Sequence, residues 1–187
     1  MMIKNILLAV LGAAFIALFA QIEIENPLNQ AGLPFNEDGL PITGQTFAVL
    51  LVAFFLGGRY GFLAVIIYVA AGIFGLPVFA GGASGIEKLY GSSGGYLVGF
   101  MFAASVIGGY GDRGWRRSFF KCISAMLIGT LLILLFGVLK LAYISGFEKA
   151  LTDGFYPFIW AGLVKVILGG VVAYFLEIGI RKMRGFG

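Results

Sequence analysis

The sequence predicts an all-α integral membrane protein: a bundle of six transmembrane helices with long loops gathered on one face. Three observations carry that prediction. Of the 187 residues, 60% are hydrophobic and only 12% are charged, whereas a soluble domain is about half apolar and about a quarter charged. Six apolar runs recur along the chain, at 3–22, 42–56, 62–79, 94–109, 119–144 and 158–180, most of them near the roughly 20 residues a helix needs to cross a bilayer. Finally, the segments between the runs alternate between basic and acidic, as loops on opposite sides of a membrane do. The expectation is one membrane domain over residues 1–187.

The first run could pass for a signal peptide, but it lacks a persuasive cleavage site and continues into a polar, acidic stretch at 21–27, so it reads as a retained span. Ala9, Ala13 and Ala17 recur every fourth residue along it, beside Gly12 and Ala20. Small residues at this spacing let a second helix approach closely in lipid; packing within the chain and docking of another protein are equally served. The second run opens with LPITGQT, where Thr43, Gln45 and Thr46 can cap a helix or hydrogen-bond a ligand. A short turn, GGRYG, leads to the third run. A longer basic turn, GDRGWRRS, separates the fourth from the fifth.

Charge sets the orientation. Lys4, Arg59, Arg113, Arg116, Arg117, Lys121, Arg181, Lys182 and Arg184 fall on one side. Glu23, Glu25, Glu37, Asp38, Glu87, Glu148 and Asp153 fall on the other, with Lys88, Lys140 and Lys149. The positive-inside rule then places both termini in the cytoplasm, in the cell membrane. The net charge of +4 reflects this topology and gives no reason to expect nucleic acid; the basic turn faces the anionic headgroups of the lipid bilayer.

The three connections on the acidic side, at 23–40, 75–95 and 145–157, are long and rich in turn residues, and such loops are commonly lids over a site. The stretch 75–100, GLPVFAGGASGIEKLYGSSGGYLVGF, is the most telling. Glycine lets backbone approach a ligand and aromatic rings supply flat walls. Irregular backbone at membrane depth survives only where protein buries it or where it lines a cavity. Phe79, Gly81, Gly82, Ser84, Tyr90, Ser93, Gly94 and Tyr96 are the candidates from this stretch, joined by Tyr68 on the third run.

Lys165 is the strongly polar residue well inside a span, roughly 10 Å from its end at 1.5 Å per residue. An intramembrane charge costs at least about 2.5–3.5 kcal/mol and so turns toward a bundle interior or a watery cavity. Gly162 and Gly169 share its helical face and leave room for a ligand or for a neighbouring helix. A carboxylate-bearing ligand is its natural partner. Glu177, roughly 18 Å further along the helix, is too distant to pair with it and should meet the basic surface instead.

Histidine is absent and Cys122 is the single cysteine, which argues against a zinc or haem centre and against a disulfide framework. No GxxxxGK[ST] loop is present, so the chain does not bind and hydrolyse ATP in the P-loop manner. Nothing recommends an enzyme, a metal site or a cofactor.

The segments LPITGQTFAVLL, LGGRYGFLAVIIYVAAGIFGLPVFAGG, GSSGGYLVGF and PFIWAGLVK follow one another as they do in the BioY family, the biotin-binding S components of energy-coupling factor (ECF) transporters, and nearly the whole chain resembles that family. The resemblance implies a substrate-capture subunit with biotin as transported ligand, an outward-facing pocket, and as partners a transmembrane coupling protein with two ABC-type ATPases that use ATP. It implies docking on the coupling protein through Ala9, Ala13 and Ala17. It also implies a site in which Tyr68, Phe79, Tyr90 and Tyr96 flank the biotin ring, Gln45 and the glycine–serine loop meet its ureido group, Lys165 meets a polar end, and Thr43 belongs to the lining. Two departures stand out. The family's Gly-Pro-Thr-Gly-Gly-Tyr is Gly91-Ser92-Ser93-Gly94-Gly95-Tyr96 here, and its Gly-Asp-x-x-Lys is Ala161-Gly162-Leu163-Val164-Lys165, without the acid. Two other readings stay open on sequence: an S component for another carboxylated vitamin such as lipoate, and a structural membrane subunit with a degenerate pocket. Action alone, as a homo-oligomer or with ATPases is equally open.

Overall fold

The computed structural model describes residues 2–24 and 41–185, and its helices follow the apolar runs. Helix α1 spans Met2–Ala20. Strands β1 (Glu23–Ile24) and β2 (Ile42–Thr43) then pair antiparallel, Glu23 opposite Thr43 and Ile24 opposite Ile42, which brings the two ends of the first long connection together. Residues 25–40 of that connection, and with them the lid expected there, lie outside the described residues. The remaining helices are α2 (Gln45–Ile73), α3 (Glu87–Tyr90), α4 (Gly94–Asp112), α5 (Phe119–Ser145), α6 (Phe147–Gly154) and α7 (Tyr156–Met183).

Five helices are long and apolar enough to cross a membrane, yet they make six crossings, because α2 is two spans joined at a reversal. Gly57, at φ 83° and ψ 173°, interrupts its 29 residues. In a straight helix Gln45 and Tyr68 would stand roughly 35 Å apart; here the Gln45 amide lies 2.7 Å from the Tyr68 hydroxyl. A methyl group added at Gly61 would sit 2.6 Å from the Ala53 Cα. The chain therefore doubles back, and residues 45–56 and 58–73 run antiparallel in close contact. This agrees with the expected six-helix bundle. The boundaries shift: residues 42 and 43 are strand, residues 58–61 of the expected turn and 110–112 are helical, and residues 74–79 form a loop rather than the end of the third span.

A reversal this tight leaves helix-terminal donors and acceptors without intrahelical partners, and the basic turn supplies replacements. Arg116 Nη1 donates to the carbonyls of Phe54 at 2.7 Å and Phe55 at 2.9 Å. Asp112 Oδ2 accepts from the Gly58 amide at 2.8 Å. Arg116 Nε also stands 3.5 Å from Glu177 Oε2 on α7, so a single guanidinium joins the hairpin, the α4–α5 turn and the last span. Cys122 packs beneath this cluster, buried, with Sγ 3.5 Å from the Arg116 carbonyl.

α4 is the central span, inserted between α2 and α5 through glycines. Side chains at Gly95 or Gly99 would collide with the α5 backbone near Phe136 and Ile133, and at Gly108 with the backbone of Gly57 and Gly58. The core that results includes Ile16, Phe54, Tyr68, Ile107, Met126 and Ile133, each nearly inaccessible.

The small-residue face of α1 requires a correction. Ala9 and Ala13 are buried, and a Cβ at the adjoining Gly12 would meet Val52 at 2.7 Å and Ala64 at 3.3 Å. This face packs on the α2 hairpin of its own chain, with Ala17 half-buried beside it. Ala9, Ala13 and Ala17 therefore do not offer an open docking surface; α1 turns Leu7, Leu11 and Leu18 outward instead.

Replacing Arg116 by Ala leaves the two hairpin carbonyls and the Glu177 carboxylate without their partner. The loss should cost about 1.5–3 kcal/mol, read as a lowered Tm of the detergent-solubilised protein. Arg113→Ala, at a residue with no described side-chain bond, should leave Tm nearly unchanged; equal Tm values for both variants would contradict the capping role.

Candidate ligand-binding site

Pro157 in the first turn of α7 suits a helix start, where the missing N–H is not needed, and the helix carries Lys165 to the mouth of α2. There Lys165 Nζ donates to the Thr43 carbonyl at 2.6 Å and to Thr46 Oγ1 at 3.2 Å. An ammonium has three N–H donors, so one stays available after both bonds. Among the described residues no carboxylate reaches Lys165; the ion pair present is Arg116–Glu177. The neighbouring glycines admit a helix: a Cβ added at Gly162 would sit 3.4 Å from Thr130 Cγ2 and one at Gly169 3.2 Å from Met126, both on α5. That close approach of α5 fills one side of α7 and leaves Lys165 directed at α2.

Thr43 and Gln45 are buried polar residues, 6% and 7% exposed. Thr43 Oγ1 accepts from the Gln45 backbone amide at 3.3 Å while its carbonyl receives Lys165, so this residue connects the ribbon, α2 and α7. The Gln45 side chain donates to the Tyr68 hydroxyl at 2.7 Å, and that hydroxyl donates to the Val78 carbonyl at 3.1 Å. The Tyr68 ring meets Phe79 edge-on, centroids 5.6 Å apart.

These groups border a cleft at the loop-rich end of the bundle. Its wide outer part, about 540 Å³, is bounded by Phe79, Ala83, Ser92, Leu141 and the charged Glu87, Lys88, Lys149 and Asp153. Its inner part, about 70 Å³, ends at Thr46 and Lys165 between the rings of Tyr96, Phe100 and Phe158. Pro41, Gln45, Ala80, Ser93 and Leu97 line both parts, so the two adjoin along a shared wall. The cleft's size falls in the range of about 300–1,000 Å³ usual for small-molecule sites, which pair apolar walls with a few placed polar groups.

The structure brings Lys165, Gln45, Thr43, Phe79, Ser93 and Tyr96 together on this cleft. It places the other expected residues elsewhere. Tyr68 lies behind Gln45, 1% exposed; Tyr90 is 69% exposed and off the lining. Gly81 and Gly82 belong to an exposed turn, where the Gly82 amide donates to Gln21 Oε1 at 2.9 Å and Gln21 Nε2 donates to the Phe79 carbonyl at 3.1 Å. These bonds strap the loop to the end of α1. Ser84 is half-buried away from the lining. Gly94 is where α4 passes the Leu89 carbonyl too closely for a side chain, and Gly162 packs on α5.

Several lining residues were not singled out from sequence: Pro41, Leu97, Phe100 and Phe158. Phe158 was accessible in principle, since it precedes Lys165 by two helical turns and shares its face. Leu97 and Phe100 lie four and seven residues after Ser93, which is also one face of a helix. Tyr96 has a second task besides forming a wall: its ring leans on Phe158, centroids 5.6 Å apart, and its hydroxyl donates to the Gly154 carbonyl at 2.7 Å. It thereby braces the end of α6.

The fold and the cleft define a multi-pass membrane protein that holds a small molecule at one end of its helical bundle. The chain belongs to the BioY family, whose sequence model matches residues 1–182. It is 40% identical over 139 residues to the biotin transporter BioY of Thermotoga maritima, covering 74% of this chain and 81% of that one. It is 36% identical over 169 residues to the biotin transporter BioY2 of Lactococcus lactis, covering 88% and 85%. The S-component for biotin from an ECF-type ABC transporter has the same fold, with a TM-score of 0.78 and 26% identity over 94% of this chain and 91% of that one.

Tyr96→Phe keeps the ring on Phe158 and removes the bond to Gly154. Amide hydrogen exchange through α6 should accelerate about two- to tenfold while exchange in α1 stays as it was. Identical exchange in α6 of both proteins would show that the hydroxyl braces nothing.

Proposed function

We propose that this chain is the biotin-capturing S component of an ECF-type importer, set in the cell membrane with both termini in the cytoplasm. The observation that carries the proposal is the cleft itself: an intramembrane ammonium and a buried amide at the end of an aromatic-walled space, in a chain whose full-length relatives are named biotin transporters. Biotin enters from the loop-rich end, which the charge distribution makes extracellular. Its apolar body lies against Leu97, Phe100, Phe158 and Tyr96. Its ureido group meets Gln45 and the Ser92–Ser93 turn, and its carboxylate, the end whose charge offsets an intramembrane cation, meets Lys165. Two bonds hold Lys165 in place and its third N–H turns to the ligand.

Because the chain carries no P-loop, energy for release comes from partners: a transmembrane coupling protein and two ABC-type ATPases. No cofactor enters the cycle. The missing acid at Gly162 gives little support to a different vitamin, since a side chain at this position would start out against Thr130 and the residue lines neither part of the cleft. A purely structural subunit leaves the half-buried Lys165 and the buried Gln45 without a purpose.

Titration of biotin into the purified protein in nanodiscs tests the reading. Binding is expected, and Lys165→Ala should weaken it well over tenfold, since breaking one side of a buried charge pair costs about 3–5 kcal/mol. Biotin amide, which lacks the charge, should bind wild type and Lys165→Ala about equally. Equal biotin affinity for the two proteins would remove Lys165 from the site, and absence of biotin binding by the wild type would overturn the proposal.

A further inference from the structure

Tyr68 touches no part of the cleft, yet its single proton decides how the cleft is lined. The hydroxyl donates that proton to the Val78 carbonyl at 3.1 Å, a carbonyl that Gln21 Nε2 also approaches at 3.3 Å. With its proton committed, the Tyr68 oxygen can only accept from Gln45, and it does so from Nε2 at 2.7 Å. The amide is planar and carries its oxygen on the side away from its nitrogen. Gln45 Oε1 is thus turned from Tyr68, and no described residue donates to it, although the side chain is 7% exposed and borders both parts of the cleft. Left without a donor among the described residues, a buried acceptor is costly, and a ligand that brings an N–H there is favoured.

We infer that Tyr68 is a positioning residue that fixes the Gln45 amide with its oxygen toward the ligand, so that the site selects a neutral N–H donor at that point. This rests on the biotin reading, in which a ureido N–H is the donor, and it adds a source of specificity that never contacts the ligand. Without the Tyr68 hydroxyl the Gln45 amide can turn over and offer Nε2 in place of Oε1, and donor and acceptor ligands are then read alike. A site built to hydrogen-bond one group rejects an isostere lacking it far more strongly than an apolar wall does.

The probes are biotin and its two cyclic carbamate analogues, in which one or the other ureido N–H is replaced by oxygen. Wild type should prefer biotin over at least one of them by about tenfold or more. Tyr68→Phe should reduce that preference to about threefold or less, chiefly by improving carbamate binding. In a Gln45→Glu background, where both side-chain oxygens accept, adding Tyr68→Phe should leave the preference unchanged. In the wild type itself, one proton of the Gln45 side-chain amide should exchange at least about tenfold more slowly than its mate, because Tyr68 holds it. Equal loss of all three ligands in Tyr68→Phe, an unchanged preference, or equal exchange of the two amide protons would overturn the positioning role. A wild type that binds biotin without discriminating overturns this inference alone; one that does not bind biotin overturns the underlying reading as well.

Discussion

An ammonium inside a bilayer costs at least about 2.5–3.5 kcal/mol on insertion scales, and the arrangement around Lys165 follows from meeting that cost. Its bonds to the Thr43 carbonyl and the Thr46 hydroxyl attach the last span to the start of the second. Through the β1–β2 ribbon the same contact reaches the end of the first. Among the described residues the two bonds are to neutral acceptors and leave one donor unspent, which would keep the charge available to a ligand.

The opposite end of the bundle is held by a second cation. Arg116 takes the two carbonyls exposed by the reversal at Gly57 and pairs with Glu177, while Asp112 caps the outgoing half of the hairpin. Between these polar fastenings the spans meet through glycines, so that α4 approaches α2 and α5 closely enough for backbone to touch backbone. In lipid, where apolar burial drives helix association only weakly, close packing and a few hydrogen bonds must carry it. The cleft occupies the loop-rich end, where the rings of Tyr96 on α4 and Phe158 on α7 meet on its wall.

Hydropathy and charge made the six crossings legible, because spanning length and loop sign are strong physical constraints. What they could not show was which face each span turns inward. Ala9 and Ala13 have the spacing of an interhelical face, and that spacing alone does not say whose helix lies across it; here it is the chain's own. Tyr68 is expected from the resemblance as an aromatic wall against the ligand, but the reversal at Gly57 places it behind Gln45. Phe158 and Leu97 were passed over as ordinary apolar residues, although their registers with Lys165 and Ser93 put them on the cleft. Arg116 looked like one of several basic residues of a surface turn. Its role depends on carbonyls 61 and 62 residues away, which no local pattern reveals. Lys165 and Gln45 were visible because polarity inside an apolar run is rare and must be answered by the structure.

These features support one proposal: a capture subunit in which the half-buried Lys165 ammonium and the Gln45 amide would recognise the polar groups of biotin, with partner ATPases supplying the work. Its central claim concerns the ligand, and native mass spectrometry of the protein purified from cells grown with biotin, lipoate and other carboxylated vitamins at equal concentration tests it most directly. The account predicts one retained molecule per chain with the mass of biotin. Retention of a different vitamin, or none at all from biotin-replete cells, would contradict it.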